Sequence, residues 1–343
     1  MTRIDNTYEQ MMTMVLGCWV TQTIRAVADL SIADHLAQGS LSAAEIAKRE
    51  GSAPDTTLRL MRAAVATGLL ESESGDRFRA TPLLETLRKD DPRTLRPLAL
   101  ALTRPSQWRP WSEFVTAIRR GESQARATLG MTLFEYYQNN PAEAEEFSAA
   151  MRSMTSLWGD AIAKVIDTGG VQCAVDVGGA NGSLLQFLQE ANPALRGIVF
   201  DLPNVIEHAR AQIARTGFPD RTDVVGGDFF ESVPGGDLYL LKFILHDWSD
   251  DESIVILRRC REAMAAGGRI AIIEFDIDKR NPIGTLTDMC MLALSTGKER
   301  SLEEYDALLA AAGLQRTALR ETGTPKIVIE AIRADHIADV GHG

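Results

Sequence analysis

The first thirty residues carry apolar side chains at every third or fourth position, which is the spacing of one face of an α-helix. The pattern predicts one long N-terminal helix with an apolar stripe. Such a stripe packs either in a domain core or between subunits, where Met and Trp are enriched, and the pattern alone favours neither. The stripe consists of Tyr8, Met11, Met12, Val15, Leu16, Trp19, Val20, Ile24 and Val27.

Two shorter helices and a hairpin are expected next. Ser42, with Glu45 three positions later, forms a capping box and predicts a helix that Gly51 ends. A second helix is expected from about Pro54 to Gly68, and residues 69–81 predict a small hairpin.

Two helices and a hairpin are typical of a winged-helix fold, whose usual function is DNA binding. The hairpin is expected to turn at Ser74-Gly75, but the second helix offers only Arg59 and Arg62 to a phosphate backbone. The first 105 residues also carry equal numbers of basic and acidic residues. We therefore expect this segment to pack or dimerise, and we expect no nucleic-acid partner.

Residues 82–165 are predicted to be mostly helical and are rich in large apolar side chains. Such residues are normally core, although their position before the second half of the chain also suits a lid over an aromatic ligand. Trp108 and Met151 are our candidates for contact with that ligand. The other large apolar side chains of this segment are Trp111, Phe114, Phe134, Tyr136, Tyr137, Phe147, Met154 and Trp158.

From about Val171 the pattern changes to short β-rich runs separated by helical stretches. This alternation predicts an α/β fold with a doubly wound, mainly parallel sheet. The last two runs are joined by a tight turn at Gly323–Pro325 and predict an antiparallel hairpin at the edge of the sheet. The seven runs are QCAVDV, RGIVFD, TDVVGGD, DLYLLKFI, RIAIIEF, LQRTALRET and KIVIEAIR.

The chain is thus expected to contain four segments. Residues 1–105 form a helical, winged-helix dimerisation domain, residues 106–165 a helical linker and lid, residues 166–334 the α/β domain, and residues 335–343 a flexible tail. His336 and His342 in the tail are interpreted as incidental rather than as metal ligands.

Charge and cysteine content narrow the functional class. The net charge of −11 falls entirely after residue 105, which argues against a polyanion-binding surface. The four separated cysteines predict buried, reduced thiols.

The start MTRIDNTYEQ does not read as a signal peptide, and the apolar runs fall short of the roughly 18 residues of a membrane span. We expect a cytoplasmic protein without a membrane partner.

A glycine-rich turn follows the first strand of the α/β domain. In Asp176-Val-Gly178-Gly179-Ala180-Asn181-Gly182, glycines allow the backbone to approach a ligand closely. The dinucleotide pattern Gly-x-Gly-x-x-Gly fails, because positions 180 and 183 are Ala and Ser.

Acidic residues follow the next two strands. Asp201 ends the second strand, where its carboxylate can accept hydrogen bonds from both hydroxyls of a ribose. Asp228 follows the third strand in Gly226-Gly227-Asp228-Phe229. Its carboxylate could accept a hydrogen bond from an adenine amino group while Phe229 packs on the adenine ring. Three such elements at successive strand ends predict a nucleoside pocket.

Several motifs together resemble one family. The segments DVGGANG, FDLPNVIEHA, GGDFFESVP, LKFILHDWSDDE and GKERSLEEYDALLAAAGL look like the bacterial branch of the caffeate/hydroxyindole-type O-methyltransferases, which tailor antibiotics, anthracyclines and phenazines. The resemblance covers almost the whole chain and implies an N-terminal domain that forms an intertwined homodimer.

The resemblance also implies S-adenosylmethionine as cofactor and S-adenosylhomocysteine as product, with no metal. The cofactor contacts carried over are Gly178, Asp201, Gly227, Asp228, Phe229 and Lys242. Ala180 replaces the family's commoner Gly, and its methyl group is expected to be tolerated if the backbone there keeps φ negative.

His246 closes the fourth strand and is our candidate general base, since an imidazole is mostly neutral at pH 7. It can take the proton of a phenol, whose pKa is near 10, as the oxygen attacks a sulfonium methyl group. Glu274 ends the next strand and Glu299 lies in GKERS; by resemblance they flank the histidine, and such acids fix its tautomer. Asp247 and Trp248 are expected near the substrate.

These expectations describe metal-independent, in-line methyl transfer to a hydroxyl of a small aromatic or polyketide-like molecule, and the hydroxyl is expected to be phenolic. The alternatives are N- or C-methylation, or a fold repurposed for hydroxylation or a pericyclic step. A winged-helix regulator that senses a small ligand is a non-enzyme alternative, and it would bind DNA in a salt-sensitive manner.

Overall fold

The change of pattern along the chain corresponds to two structural units. The computed structural model describes residues 6–73, 76–214, 217–278 and 281–335. One unit comprises Met1–Trp108 with Ala142–Met154, and the other Arg109–Pro141 with Thr155–Gly343. The predicted segment boundaries at 105, 165 and 334 stay predictions. The predicted turn at Ser74-Gly75 and the predicted tail after Asp335, with His336 and His342, lie outside the described residues.

The first unit is helical with one small sheet. Its three strands pair antiparallel in the order β1-β3-β2. The strands are β1 Leu41–Ser42, β2 Leu70–Ser72 and β3 Arg77–Ala80. The helices are α1 Asn6–Val15, α2 Gly17–Asp29, α3 Ile32–Leu36, α4 Ala43–Glu50, α5 Pro54–Ala66, α6 Pro82–Glu85, α7 Arg96–Ala101 and α8 Pro105–Trp108.

The predicted single N-terminal helix is interrupted. It is divided at Leu16, which precedes Gly17, and glycine is the weakest helix former after proline. The apolar stripe is divided too: Tyr8 and Trp19 are 74% and 66% exposed, whereas Val27 is fully buried. The C-terminal end of the stripe, near Val27, therefore belongs to the core. The apolar side chains of α1 are left exposed on a single chain.

The local signals of the winged segment are confirmed. Ser42 and Glu45 form a complete capping box at the start of α4, and Gly51 ends that helix with φ of 65°. Helix α5 and the β2–β3 hairpin follow as predicted. Their apolar faces meet α2 and α3 in one core that includes Ile32, Ile46, Met61 and Phe78.

The second unit alternates strands and helices. Its strands are β4 Cys173–Val177, β5 Arg196–Asp201, β6 Thr222–Gly226, β7 Gly236–Lys242, β8 Met264–Phe275, β9 Leu314–Glu321 and β10 Lys326–Arg333. Its helices are α9 Phe114–Arg120, α10 Ala125–Leu129, α11 Leu133–Asn139, α13 Ser183–Ala191, α14 Pro203–Ile213, α15 Asp250–Ala263, α16 Pro282–Leu294 and α17 Leu302–Ala311. Helix α12, Pro141–Ala163, passes through both units, and 3₁₀ helices occupy Arg109–Glu113, Pro219–Arg221 and Leu245–Asp247.

The seven strands form one sheet in the order β6-β5-β4-β7-β8-β10-β9. Strands β4 to β8 pair in parallel, and β10 pairs antiparallel with both β8 and β9. The predicted fold class and the edge hairpin are confirmed. The strand order reverses at β4, so the carboxyl ends of β4, β5 and β7 border the crevice in which such sheets bind ligands.

Two other predictions are corrected. His246 does not close β7, which ends at Lys242; it lies in the 3₁₀ helix Leu245–Asp247 that follows. The cysteines are free thiols, but Cys260 alone of the four is fully buried, and Cys18 is exposed on α2.

No helix among the described residues is long and apolar enough to cross a membrane, and a cytoplasmic location stays a prediction.

The turn after β4 has three left-handed backbone positions. Gly178, Ala180 and Gly182 have φ of 64°, 48° and 71°. The expectation that Ala180 keeps φ negative is therefore wrong. The tight reversal from β4 into α13 imposes the left-handed conformation, in which a Cβ lies too close to the next carbonyl oxygen.

We expect Ala180→Gly to stabilise the fold by about 1 kcal/mol, because it removes a left-handed Cβ. Equilibrium urea unfolding measures the effect. The matched control is Gly178→Ala, which adds a Cβ at the same kind of φ and against the Ile244 side chain. It should destabilise the fold, and a destabilising Ala180→Gly would contradict the argument.

Candidate active site

Asp201 is anchored by backbone donors from two segments. Its Oδ2 accepts the Ala180 N–H at 2.8 Å, and its Oδ1 accepts the Leu202 N–H at 2.7 Å. Burial raises the pKa of Asp201, and these two hydrogen bonds act in the opposite direction. A fixed carboxylate at the end of β5 retains lone pairs that can accept hydrogen bonds from a ligand.

The turn after β6 lies beside this carboxylate. Gly227 N–H donates to the Asp201 carbonyl oxygen at 3.0 Å, and the Asp228 carboxylate accepts the backbone N–H two residues further on at 2.8 Å. The Phe229 ring meets Trp248 edge-on, with 5.8 Å between the ring centroids. The turn thus brings the predicted residues Gly227, Asp228 and Phe229 together at the strand end next to Asp201.

Lys242 ends β7 and faces Asp176 of the neighbouring strand β4. Burial raises the pKa of Asp176 to about 7, and the charge of Lys242 opposes that rise. Burial lowers the pKa of Lys242, and Asp176 opposes that change. Sequence reasoning gave Asp176 no role, although an acid within the apolar run CAVDV was a visible signal.

His246 is brought against both predicted glutamates. Its Nδ1 lies 2.7 Å from Glu299 Oε1 and 3.6 Å from Glu274 Oε2. Glu274 reaches it from β8, the parallel neighbour of β7, and Glu299 from the loop before α17. All three residues are buried. A carboxylate on Nδ1 fixes the tautomer in which Nε2 carries the free lone pair.

The cluster has strongly perturbed protonation. Burial alone would lower the pKa of His246, but Glu274, Asp247 and Glu299 together raise it to about 9. Burial raises the pKa of Glu274 to about 7 and that of Asp247 to about 6. Below a pH of about 9, the imidazole therefore holds its proton, and it becomes a proton acceptor as the pH rises through that value.

Two residues outside the predicted set hold this turn in place. Arg300 is almost fully buried and donates to the carbonyl oxygens of Leu245 and Trp248, each at 2.7 Å. These carbonyls bracket His246. A Cβ at Gly297 would collide with the same stretch of backbone. The GKERS motif signalled Glu299 in the sequence, but the roles of its Gly297 and Arg300 depend on tertiary contacts.

The Nε2 side of the imidazole faces an acid and lies close to an aromatic group. Asp247 Oδ1 lies 3.8 Å from Nε2. The neighbouring Trp248 stacks on Phe134 of α11, with 5.3 Å between centroids and 12° between planes. The predicted Asp247 and Trp248 thus lie next to the candidate base. Trp108 and Met151 belong to the first unit, and their proximity to a ligand stays a prediction.

The cluster has the composition of a metal site as well. One potential ligand atom from each of His246, Glu274 and Glu299 lies within 4.8 Å of the others. Three protein ligands of this kind suit several divalent metals. Metal independence therefore stays a prediction.

Comparison with known proteins identifies the family. Residues 111–315 match the model of the O-methyltransferase domain, and residues 12–90 match the O-methyltransferase dimerisation domain. The second match confirms the expected homodimer through the N-terminal segment. The resemblance to bacterial tailoring O-methyltransferases is confirmed as well.

Three relatives illustrate the match. A phenazine O-methyltransferase of Lysobacter antibioticus is 33% identical over 93% of this chain and 94% of its own length. The O-demethylpuromycin-O-methyltransferase of Streptomyces alboniger is 37% identical, with 94% and 88% covered. The crystal structure of human N-acetylserotonin methyltransferase, in complex with S-adenosylmethionine, has a TM-score of 0.89, 28% identity and coverage of 97% and 99%. The chain therefore belongs to the O-methyltransferase family and is an O-methyltransferase.

Proposed function

We propose that this protein transfers the methyl group of S-adenosylmethionine to a phenolic hydroxyl of a small aromatic or polyketide-like natural product. His246 is the general base, and Glu274 and Glu299 orient it. The observation that carries the proposal is the hydrogen bond of 2.7 Å between His246 Nδ1 and Glu299, which in the neutral imidazole leaves Nε2 free to accept a proton.

The residues around the glycine turn fit the cofactor. Asp201 would bind the ribose hydroxyls, since its carboxylate is already oriented by two backbone donors. Asp228 and Phe229 would hold the adenine, and Gly178 leaves room for the backbone to approach the ligand. The Asn181 side-chain amide nitrogen in this turn is buried without a hydrogen-bond partner among the described residues, so it remains available as a donor. Lys242, paired with Asp176, would lie at the amino-acid end.

The proton leaves the phenol for His246 Nε2 as its oxygen becomes the nucleophile. The bound cofactor supplies an electrophilic methyl group on a sulfonium centre. An imidazole with a pKa of about 9 is close to the pKa of a phenol, near 10, so the proton transfer is almost balanced in free energy. Glu299 stabilises the imidazolium that forms.

The acceptor is held by aromatic surfaces. Trp248, stacked on Phe134, offers a flat apolar face two residues from the base. Trp108 and Met151, in helices expected to act as a lid, are candidates for further contact with the acceptor. Much of the rate enhancement then comes from holding the acceptor oxygen, the methyl carbon and the cofactor sulfur in one line. The reaction requires no metal in this scheme.

The first prediction on the site concerns Asp201. We expect Asp201→Asn to weaken the binding of S-adenosylhomocysteine about 10- to 100-fold, because a buried charged acceptor is lost. Isothermal titration measures the affinity. The matched control is Asp223→Asn on β6, where the carboxylate is 66% exposed; it should bind as the wild type does. Equal affinity of both variants would remove Asp201 from the cofactor site.

The second prediction concerns the base. We expect His246→Gln to lower kcat about 100- to 10,000-fold while S-adenosylhomocysteine still binds. The assay uses the best acceptor from a panel of hydroxyphenazines, hydroxybenzoates and hydroxynaphthoates. His35→Gln, a histidine paired with Glu50 in the first unit, is the control. Unchanged turnover in His246→Gln would exclude the general-base role, and an amine acceptor that reacts faster than any phenol would favour N-methylation.

The third prediction concerns pH. Because the folded pKa of His246 is raised to about 9, kcat/KM should increase with pH until that value is reached. Glu299→Gln removes one of the charges that raise this pKa, so its acid limb should move to lower pH, with a lower maximum rate. The measurement is a pH profile from 6 to 10. An acid limb that stays in place in Glu299→Gln would show that Glu299 does not act on the base.

A further inference from the structure

Lys326, the first residue of β10, has an unusual environment for an amine. Its side chain is 1% exposed, and its Nζ has no hydrogen-bond acceptor among the described residues. Three aromatic rings surround it instead: Nζ lies 3.2 Å from the ring centroid of Phe275, 3.3 Å from that of Phe243 and 4.9 Å from that of Trp158. Ring faces attract a cation, so this cage favours the ammonium form.

The cage is continuous with the catalytic cluster. Phe243 also stacks on the imidazole of His246, with 5.2 Å between centroids and 11° between planes. Its backbone has φ of 57°, a strained conformation for a phenylalanine that the surrounding packing must hold. In the β8–β10 ladder, Lys326 pairs with Phe275 and the next pair contains Glu274. The lysine is thus connected to the base through the shared ring of Phe243.

The acids of the cluster outnumber its one imidazole. Three acids face the imidazole, Glu274 from β8, Glu299 from the loop before α17 and Asp247 from the 3₁₀ helix. Both carboxylate oxygens of Glu274 lack a hydrogen-bond partner among the described residues.

The other charged or titratable groups nearby are engaged elsewhere or neutral. Lys242 of β7 interacts first with Asp176 and only then with Glu274, and Arg300 pairs with Asp250. Asp288 of α16 accepts the Glu299 backbone N–H at 3.0 Å. Burial raises the pKa of the Cys290 thiol on α16 to about 12, so this thiol stays neutral. The phenol of Tyr305 on α17, whose pKa is raised well above its ordinary value by burial, stays neutral. Among the described cations around the cluster, Lys326 is the one whose main charged partner is Glu274.

We propose that Lys326 is a positioning residue: its ammonium group, held against the two phenylalanine rings, is the buried positive charge that offsets the acids around His246 and so sets the pH at which the imidazole gives up its proton. Burial lowers the pKa of Lys326, and the charge of Glu274 opposes that change. The role of the imidazole as base rests on the proposed function, whereas the titration of the cluster does not.

The sign of the effect follows from electrostatics. His246 Nδ1 lies 3.6 Å from Glu274 in one cluster of interacting charges, so a change of charge beside the cluster shifts the pH at which the imidazole loses its proton. Removing a nearby positive charge makes the loss of that proton harder, so the proton leaves at a higher pH. This is opposite to the shift expected for Glu299→Gln, which removes a negative charge from the same cluster.

The test is the titration of the His246 imidazole by NMR in protein labelled at histidine and saturated with S-adenosylhomocysteine. His246→Gln identifies the resonance among those of the five histidines. We expect Lys326→Met to raise the midpoint by about one pH unit, which corresponds to about a tenfold lower kcat/KM on the acid side of the profile. Methionine keeps the length of the side chain and suits an aromatic cage, so the melting temperature should not fall.

Two variants serve as controls. Lys326→Arg keeps the charge and should restore the wild-type midpoint. Lys164→Met removes a lysine that is 70% exposed on the segment after α12 and should leave the midpoint unchanged. Lys326→Gln replaces Lys326→Met if the latter does not fold.

The outcomes are distinct for the two proposals. A midpoint in folded Lys326→Met, or in Lys326→Gln, equal to that of the wild type would overturn the role of Lys326, whatever happens to the rate. A raised midpoint with an unchanged pH profile of kcat/KM would support the counter-charge and contradict His246 as the base. A raised midpoint with a matching shift of the acid limb supports both.

Discussion

The active centre depends on the cost of burying charge. Three carboxyl groups surround one imidazole where water is largely excluded, and each would be unstable there alone. Their mutual arrangement keeps the proton on His246 to a pH of about 9. The same desolvation raises the pKa of Asp176 on β4 and lowers that of Lys242 on β7. The pKa values of Asp176, Lys242 and the His246 cluster are therefore governed by one electrostatic constraint.

The sheet supplies the geometry that this constraint needs. Parallel strands bring Glu274 of β8 beside the segment that follows β7, and the antiparallel β10 adds Lys326 from the other side. The turns at these strand ends are strained, with left-handed φ at Ala180 and Phe243. Strain of this kind persists only where packing and hydrogen bonds hold the chain, and Arg300 provides such support under His246.

Patterns within short stretches of chain were sufficient for most of the fold. The Ser42–Glu45 capping box and the seven strands follow from local hydrogen bonding and from the period of apolar positions. Local patterns did not predict the break at Leu16 or the left-handed φ of Ala180. Each of these features depends on how the chain must turn to reach its next contact. Motifs likewise singled out His246, Glu274 and Glu299, because they stand at strand ends or in a recognisable segment.

The sequence by itself determined the fold class, the family and the identity of the groups that face the crevice. It did so because periodicity and motif spacing are local properties of the chain. Only the tertiary structure decided the protonation of those groups and the contacts of Arg300, Asp176 and Lys326. These depend on burial and on contacts between residues far apart in sequence, such as Lys326 with the rings of Phe243 and Trp158. Electrostatic free energies are set by such distances and by the exclusion of water, and neither can be read from the order of residues.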